Sequence, residues 1–162
     1  MSRLDSFIRR LEAQRACLDH AAGLVADLPG PVLELGLGNG RTYDHLRERL
    51  PDREIFVFER KPDAHPLCMP DAEHLILGDL EDTLPAAPAR LPGPAALVHS
   101  DIGTGDALRN RSVAARIALL LPALLRPGAV IVSDQPLPAA GLREAGLPAE
   151  VAGGRYFLYY RI

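Results

Sequence analysis

Tryptophan is absent from the 162 residues, cysteine occurs twice, and among 18 basic residues Lys61 is the only lysine. Cys17 and Cys68 are too few for the disulfide framework on which small secreted domains rely. The arginine bias reads as genomic base composition rather than function. No apolar run approaches the roughly 20 residues of a membrane span. The longest uncharged one, Ile117 to Leu125, is broken by Pro122 and reads as buried helix. The opening MSRLDSFIRRLE lacks the apolar core of a signal peptide, so the expected compartment is cytoplasmic. A net charge of −3 and a pI of about 5.9 offer no global positive field for nucleic acid or an anionic membrane. Aromatics make up 5% and gather late, at Tyr156, Phe157, Tyr159 and Tyr160, where packing on a sheet or at a subunit contact explains them. Apolar residues, at 48%, suffice for one core, so residues 1–162 are expected to form a single domain, with 1–29 as a helical cover.

The most informative stretch is Val32 to Leu46, VLELGLGNGRTYDHL. An apolar run containing one acid, Glu34, breaks into Gly36-Leu37-Gly38-Asn39-Gly40 before a helical segment, which spells strand, glycine turn, helix. Glycine serves where the chain turns at positive φ or where a ligand must approach the backbone closely. On this reading Gly36 and Gly38 clear space for a ligand, and valine at either would abolish binding without unfolding the chain. A dinucleotide fingerprint needs a third glycine at position 41, which is Arg41, so an NAD-linked reductase is the weaker reading.

An acid two places before G-x-G-x-G resembles the first motif of the class I S-adenosylmethionine-dependent methyltransferases. That resemblance implies a Rossmann-like fold, α/β and doubly wound, with a mostly parallel sheet, an antiparallel last strand and an N-terminal helix. It also implies S-adenosyl-L-methionine as cofactor. Gly36, Leu37, Gly38, Asn39 and Gly40, leading into Arg41 and Thr42, would wrap the methionine half, with Glu34 under its amino group. Ile55 to Phe58 ends in Glu59, an acid about 20 residues beyond the glycines, where a nucleoside-binding sheet holds ribose hydroxyls. By resemblance Arg60 would lie along adenine, and Gly78, Asp79 and Leu80, after the strand Leu75 to Leu77, would meet the adenine edge. Ala96 to His99 makes a fourth strand, followed by Asp101 and Ile102. Ligands of open α/β sheets bind beyond the strand ends where strand order reverses, so Asp101 is the candidate catalytic residue facing methyl donor or acceptor. Asp106 is expected to cap the next helix.

Around these motifs, Leu4 to Val25 recurs at helical spacing and predicts an amphipathic helix ending near Pro29-Gly30, which covers either the sheet or the cofactor cleft. Thr42 to Leu50 predicts a crossover helix, Pro62 to Pro70 a short helix and loop, and Glu81 to Pro94 a possible helical turn and a loose link to the next strand. Ala107 to Leu125 predicts a helix leading through LLRPGAVIVSD, also similar to the family, into a strand over Ala129 to Val132. Leu142 to Ala145 is expected to be a short helix and Tyr156 to Ile162 the last strand.

The absence of an Asn/Asp-Pro-Pro-Tyr motif after the fourth strand argues against the planar amino groups of adenine, cytosine or glutamine as targets. The expected acceptor is a small molecule, bound by the first helix, the loops or a second copy of the chain, a homo-oligomer. Two other readings stand beside it. One is a catechol-type O-methyltransferase in which Asp101, Asp134 and Gln135 hold a divalent metal. The other is a protein that binds S-adenosylmethionine or a nucleoside without transferring anything. Cys17, His20, His65 and Cys68 have zinc-like spacing that chance explains better. His99 is expected to be a neutral, hydrogen-bonded core histidine.

Overall fold

Strands form where apolar, β-branched and aromatic residues run together, and the computed structural model, which describes residues 1–162, has seven of them in one sheet. They are β1 (Val32–Leu35), β2 (Ile55–Glu59), β3 (Leu75–Leu77), β4 (Ala95–Ser100), β5 (Leu125–Ser133), β6 (Leu142–Ala145) and β7 (Phe157–Arg161). Their order is β3-β2-β1-β4-β5-β7-β6. The first five are parallel, and β7 pairs antiparallel with both β5 and β6. Strand order reverses between β1 and β4, which places a crevice beyond their carboxyl ends.

The helices α1 (Arg3–Leu24), α2 (Arg41–Arg49), α3 (Leu80–Ala86) and α4 (Ala107–Leu120) cover both faces. The core is accordingly split into clusters of 20 and 19 buried residues. Parallel strands buried on both sides must be apolar almost throughout, which is why β1 and β4 lack alternation. α1 starts in a capping box, with the Ser2 hydroxyl accepting from the Asp5 N–H and the Asp5 carboxylate accepting from the Ser2 N–H. Its buried residues run from Ala13 to Ala22, whereas Leu4, Phe7 and Ile8 remain exposed.

Three expectations are corrected. Leu142–Ala145 is strand β6 rather than a helix: Leu-Arg-Glu-Ala favours a helix intrinsically, but pairing with β7 overrides it, and the exposed Arg143 and Glu144 suit an edge strand. The helical turn expected after Asp79 is longer than a turn, a seven-residue helix, α3, that begins at Leu80. α4 stops at Leu120 because Pro122 turns the chain into a 3-10 helix over Leu121–Ala123. β5 therefore begins at Leu125, which pairs with Ala95 across a register shift.

The C-terminal end of α1 is tied down by Arg53, whose guanidinium donates to the carbonyls of Val25, Ala26, Leu28 and Gly30. The last carbonyls of a helix lack internal partners, and a cation there also meets the negative end of the helix dipole. Arg53→Ala should lower stability by about 2 kcal/mol or more in urea unfolding. An unchanged midpoint would mean that water serves these carbonyls equally well.

Candidate functional site

The glycine turn between β1 and α2 brings its residues close to two other strand ends, those of β2 and β4. Gly36 has φ +87°, and a Cβ there would meet the Asp101 carbonyl oxygen at 2.7 Å. This glycine is required by the approach of β1's end to β4's, so the reading of Gly36 as cleared for a ligand is corrected. Gly38, at φ +53°, has nothing within 4 Å of its missing Cβ and faces open space. Gly40, in the left-handed region, begins α2, and the Asn39 side chain accepts from the Arg41 N–H.

Glu59 and Asp79 stand at the ends of β2 and β3. Glu59 accepts from the backbone N–H of Leu37 (2.8 Å), Gly38 (3.4 Å) and Lys61 (3.0 Å), so it holds the glycine turn while part of its acceptor capacity stays free. Asp79 occupies the N-cap of α3 without capping it; its carboxylate is exposed and lies 3.7 Å from Arg60. Between the two acids opens a cleft of about 690 Å³, floored by Gly36 and Gly38, with Phe58, Leu80, Ile102 and Val113 as its apolar surfaces. Arg60, Gly78 and Asp101 also line it.

Two further lobes join this cleft around Asp101 to Gly103. One, of about 260 Å³, lies between α1, through Phe7, Arg10, Leu11 and Gln14, and the turn residues Leu37, Asn39, Arg41 and Thr42. The other, of about 440 Å³, lies between Arg10, Thr104, Asn110, Asp134, Gln135 and Arg155. Asp101 receives Arg10 on Oδ1 and Gln14 on Oδ2, both at 3.0 Å, and Gln14 also donates to the Tyr156 hydroxyl at 2.5 Å. Asp106 caps α4 as expected. Sequence reading missed Arg10, Gln14 and Arg155, since α1 reaches Asp101 across about ninety residues and no local spacing signals it.

Asp134 accepts from the N–H groups of Ile102 (3.2 Å) and Gly103 (2.8 Å). Burial, followed by the neighbouring Asp101 charge, raises its pKa above the ordinary carboxylate range despite those bonds. Asp101, Asp134 and Gln135 thus lie close together, but both acids are already partnered. No group of three or more His, Cys, Asp or Glu side chains is placed to hold a metal ion. Cys17 is buried in the core while His20 is exposed, so that pair does not assemble either.

Glu34 is fully buried, and both its oxygens are engaged, one by the Thr42 hydroxyl and the other by Nδ1 of His99 at 2.9 Å. Glu34 thus braces the turn from beneath. His99 stacks on Tyr156, with ring centroids 6.4 Å apart. Burial pushes the His99 pKa down, and its unpartnered Nε2 also opposes protonation. The Glu34 carboxylate outweighs these effects and leaves the pKa raised, in a histidine that is buried and hydrogen-bonded in the core as expected. Stability from this pair is fully present below the ordinary imidazole value of 6.5 and is lost as pH rises through the raised one. The urea midpoint should therefore fall as pH climbs from neutral, and His99→Gln should flatten the profile. A wild-type midpoint that stays level or rises would contradict the assignment.

Comparisons with known proteins show the family. Residues 1–161 match the model of the S-adenosyl-L-methionine methyltransferase family. The crystal structure of an S-adenosyl-L-methionine methyl transferase from Silicibacter pomeroyi DSS-3 is 47% identical, with 99% of each chain covered and a TM-score of 0.93. Cofactor-bound Rv0187 from MTB is similar in fold, at 17% identity, covering 98% of this chain and 88% of its own, with a TM-score of 0.59. An O-methyltransferase family protein from Burkholderia thailandensis is similar at 13% identity, over 89% of this chain and 54% of its own, with a TM-score of 0.53. None of the curated proteins matches. The chain belongs to the S-adenosyl-L-methionine methyltransferase family, and S-adenosyl-L-methionine is its cofactor.

Proposed function

We propose that this methyltransferase acts on a small-molecule acceptor, with the nucleoside of the cofactor in the 690 Å³ cleft, its methionine half under α1 and the acceptor in the lobe beside Asp134. The observation that carries this arrangement is the pair of acids, Glu59 and Asp79, at successive strand ends around one cleft. The residues fit the group. The cleft is of ordinary size for such a ligand. Glu59 keeps acceptor sites for two ribose hydroxyls, and Asp79 leaves its N-cap duty undone and its carboxylate free for the adenine edge, beside the Leu80 backbone. Gly38 leaves open space where any side chain would intrude.

The sulfonium of bound S-adenosylmethionine supplies an already activated methyl group, so the protein's task is chiefly alignment. In this reading Gly36 and Gly38 shape the cleft floor, and Arg10 and Gln14 bring α1 down onto Asp101, which lines both the cleft and the lobe under α1. Asp101 has both oxygens occupied and serves to orient; Asp134, with its raised pKa, is the better placed to take a proton from the acceptor. A divalent metal at Asp101, Asp134 and Gln135 is less well supported, because a cation would have to displace Arg10, Gln14 and two backbone N–H groups. The lobes are bounded by loops and by α1, which suits a small molecule rather than a polymer.

Glu59→Ala should weaken S-adenosylhomocysteine binding by about 1.5 to 3 kcal/mol in calorimetry, the range for hydrogen bonds to a charged group. An unchanged dissociation constant would remove Glu59 from the site. Gly38→Ala should leave the fold standing at a cost of about 1 kcal/mol for its left-handed backbone, yet abolish binding. Gly36→Ala should instead lower the thermal midpoint sharply. Transfer itself is checked with methyl-labelled S-adenosylmethionine and a panel of small acceptors, where label appearing only in protein or nucleic acid would refute the small-molecule reading.

A further inference from the structure

We infer that the acceptor carries an oxyanion, a carboxylate or a phosphate, held by Arg155 in the lobe that Arg10, Asp134 and Gln135 also line. This rests on the cofactor and acceptor lobes being assigned as above. The lobe has no hydrophobic residue in its lining, so charged and polar groups, rather than an aromatic or aliphatic slot, decide what it holds.

Arg155 is the group that gives the lobe its character. Its guanidinium is half-buried and donates only to neutral oxygens, to the Ser6 carbonyl and to the Ser6 hydroxyl, each at 3.1 Å. It forms no ion pair with any carboxylate of the protein, in contrast to Arg10, which meets Asp101, and to Arg47, Arg49 and Arg116, which each meet an acid. A partly desolvated cation without a counter-ion is costly, and two bonds to Ser6 fix its plane without neutralising it. The planar fork keeps further N–H groups unused, and such a fork matches the paired oxygens of a carboxylate or phosphate.

The acids nearby do not cancel this charge. Asp101 faces Arg10 and Gln14, and Asp134 is turned into the N–H groups of Ile102 and Gly103. The pKa of Asp134 is also raised, which weakens its hold on negative charge. An anion seated against Arg155 would share the lobe with Asp134, and the charge on Arg155 would thereby select the acceptor.

The test uses the full chain saturated with S-adenosylhomocysteine and three probes: lactate, glycerol 3-phosphate and uncharged glycerol, each followed by ligand-observed NMR titration. At least one anion should bind at millimolar concentration and glycerol should not; which anion binds distinguishes carboxylate from phosphate. Arg155→Gln should weaken the bound anion roughly tenfold or more, and Arg155→Lys, which keeps the charge but not the fork, should weaken it less. Equal binding of glycerol, equal affinity in the wild type and Arg155→Gln, or no binding of either anion to the loaded protein would each overturn the inference. Failure of S-adenosylhomocysteine itself to bind would bring down the cofactor assignment, and this inference with it.

Discussion

Glu34 and His99 stand opposite each other in register on β1 and β4, the two strands between which the sheet reverses its order. Both are withdrawn from water, and a carboxylate so placed is tolerable only with partners on each oxygen. His99 supplies one partner and Thr42, in the first turn of α2, supplies the other. One buried acid therefore ties β4, β1 and the start of α2 together, and the glycine turn is stretched between those fixed points. The path of Gly36 against the Asp101 carbonyl follows from this restraint, and so does the way Glu59 can reach the Leu37 N–H from β2.

Above the turn, α1 divides its work. The half from Ala13 onwards packs on the sheet and is anchored by Arg53 at its end. The earlier half leaves Phe7 and Ile8 exposed and touches the rest of the protein through polar side chains, Arg10 to Asp101 and Ser6 to Arg155. Contacts of this kind, with little apolar burial behind them, open at low cost compared with core packing. The helix is thus held firmly where it supports the sheet and by polar contacts alone in its first half.

Much of this was legible in the chain. The glycine turn, the acids Glu59, Asp79 and Asp101 and the N-cap Asp106 lie at element ends, and local patterns mark such ends. The β strands were readable because burial on both faces demands continuous apolar runs. The bracing role of Glu34 was not readable, since its partner His99 lies 65 residues away and no local pattern joins the two. Leu142–Ala145 misled for a different reason: four good helix formers were recruited as an edge strand by β7. Arg10, Gln14 and Arg155 carry no motif, because their partners come from across the fold.

The account depends most on one claim, that the cleft over Gly36 and Gly38, between Glu59 and Asp79, is where the cofactor sits. A crystal structure of the protein grown with S-adenosylhomocysteine tests it directly. The account predicts ribose density within hydrogen-bond distance of the Glu59 carboxylate and the adenine edge at Asp79, with the homocysteine end beneath α1. Density for the ligand in the separate groove between the outer face of α1 and residues 147–155, with Glu59 still bound only to the turn, would contradict it.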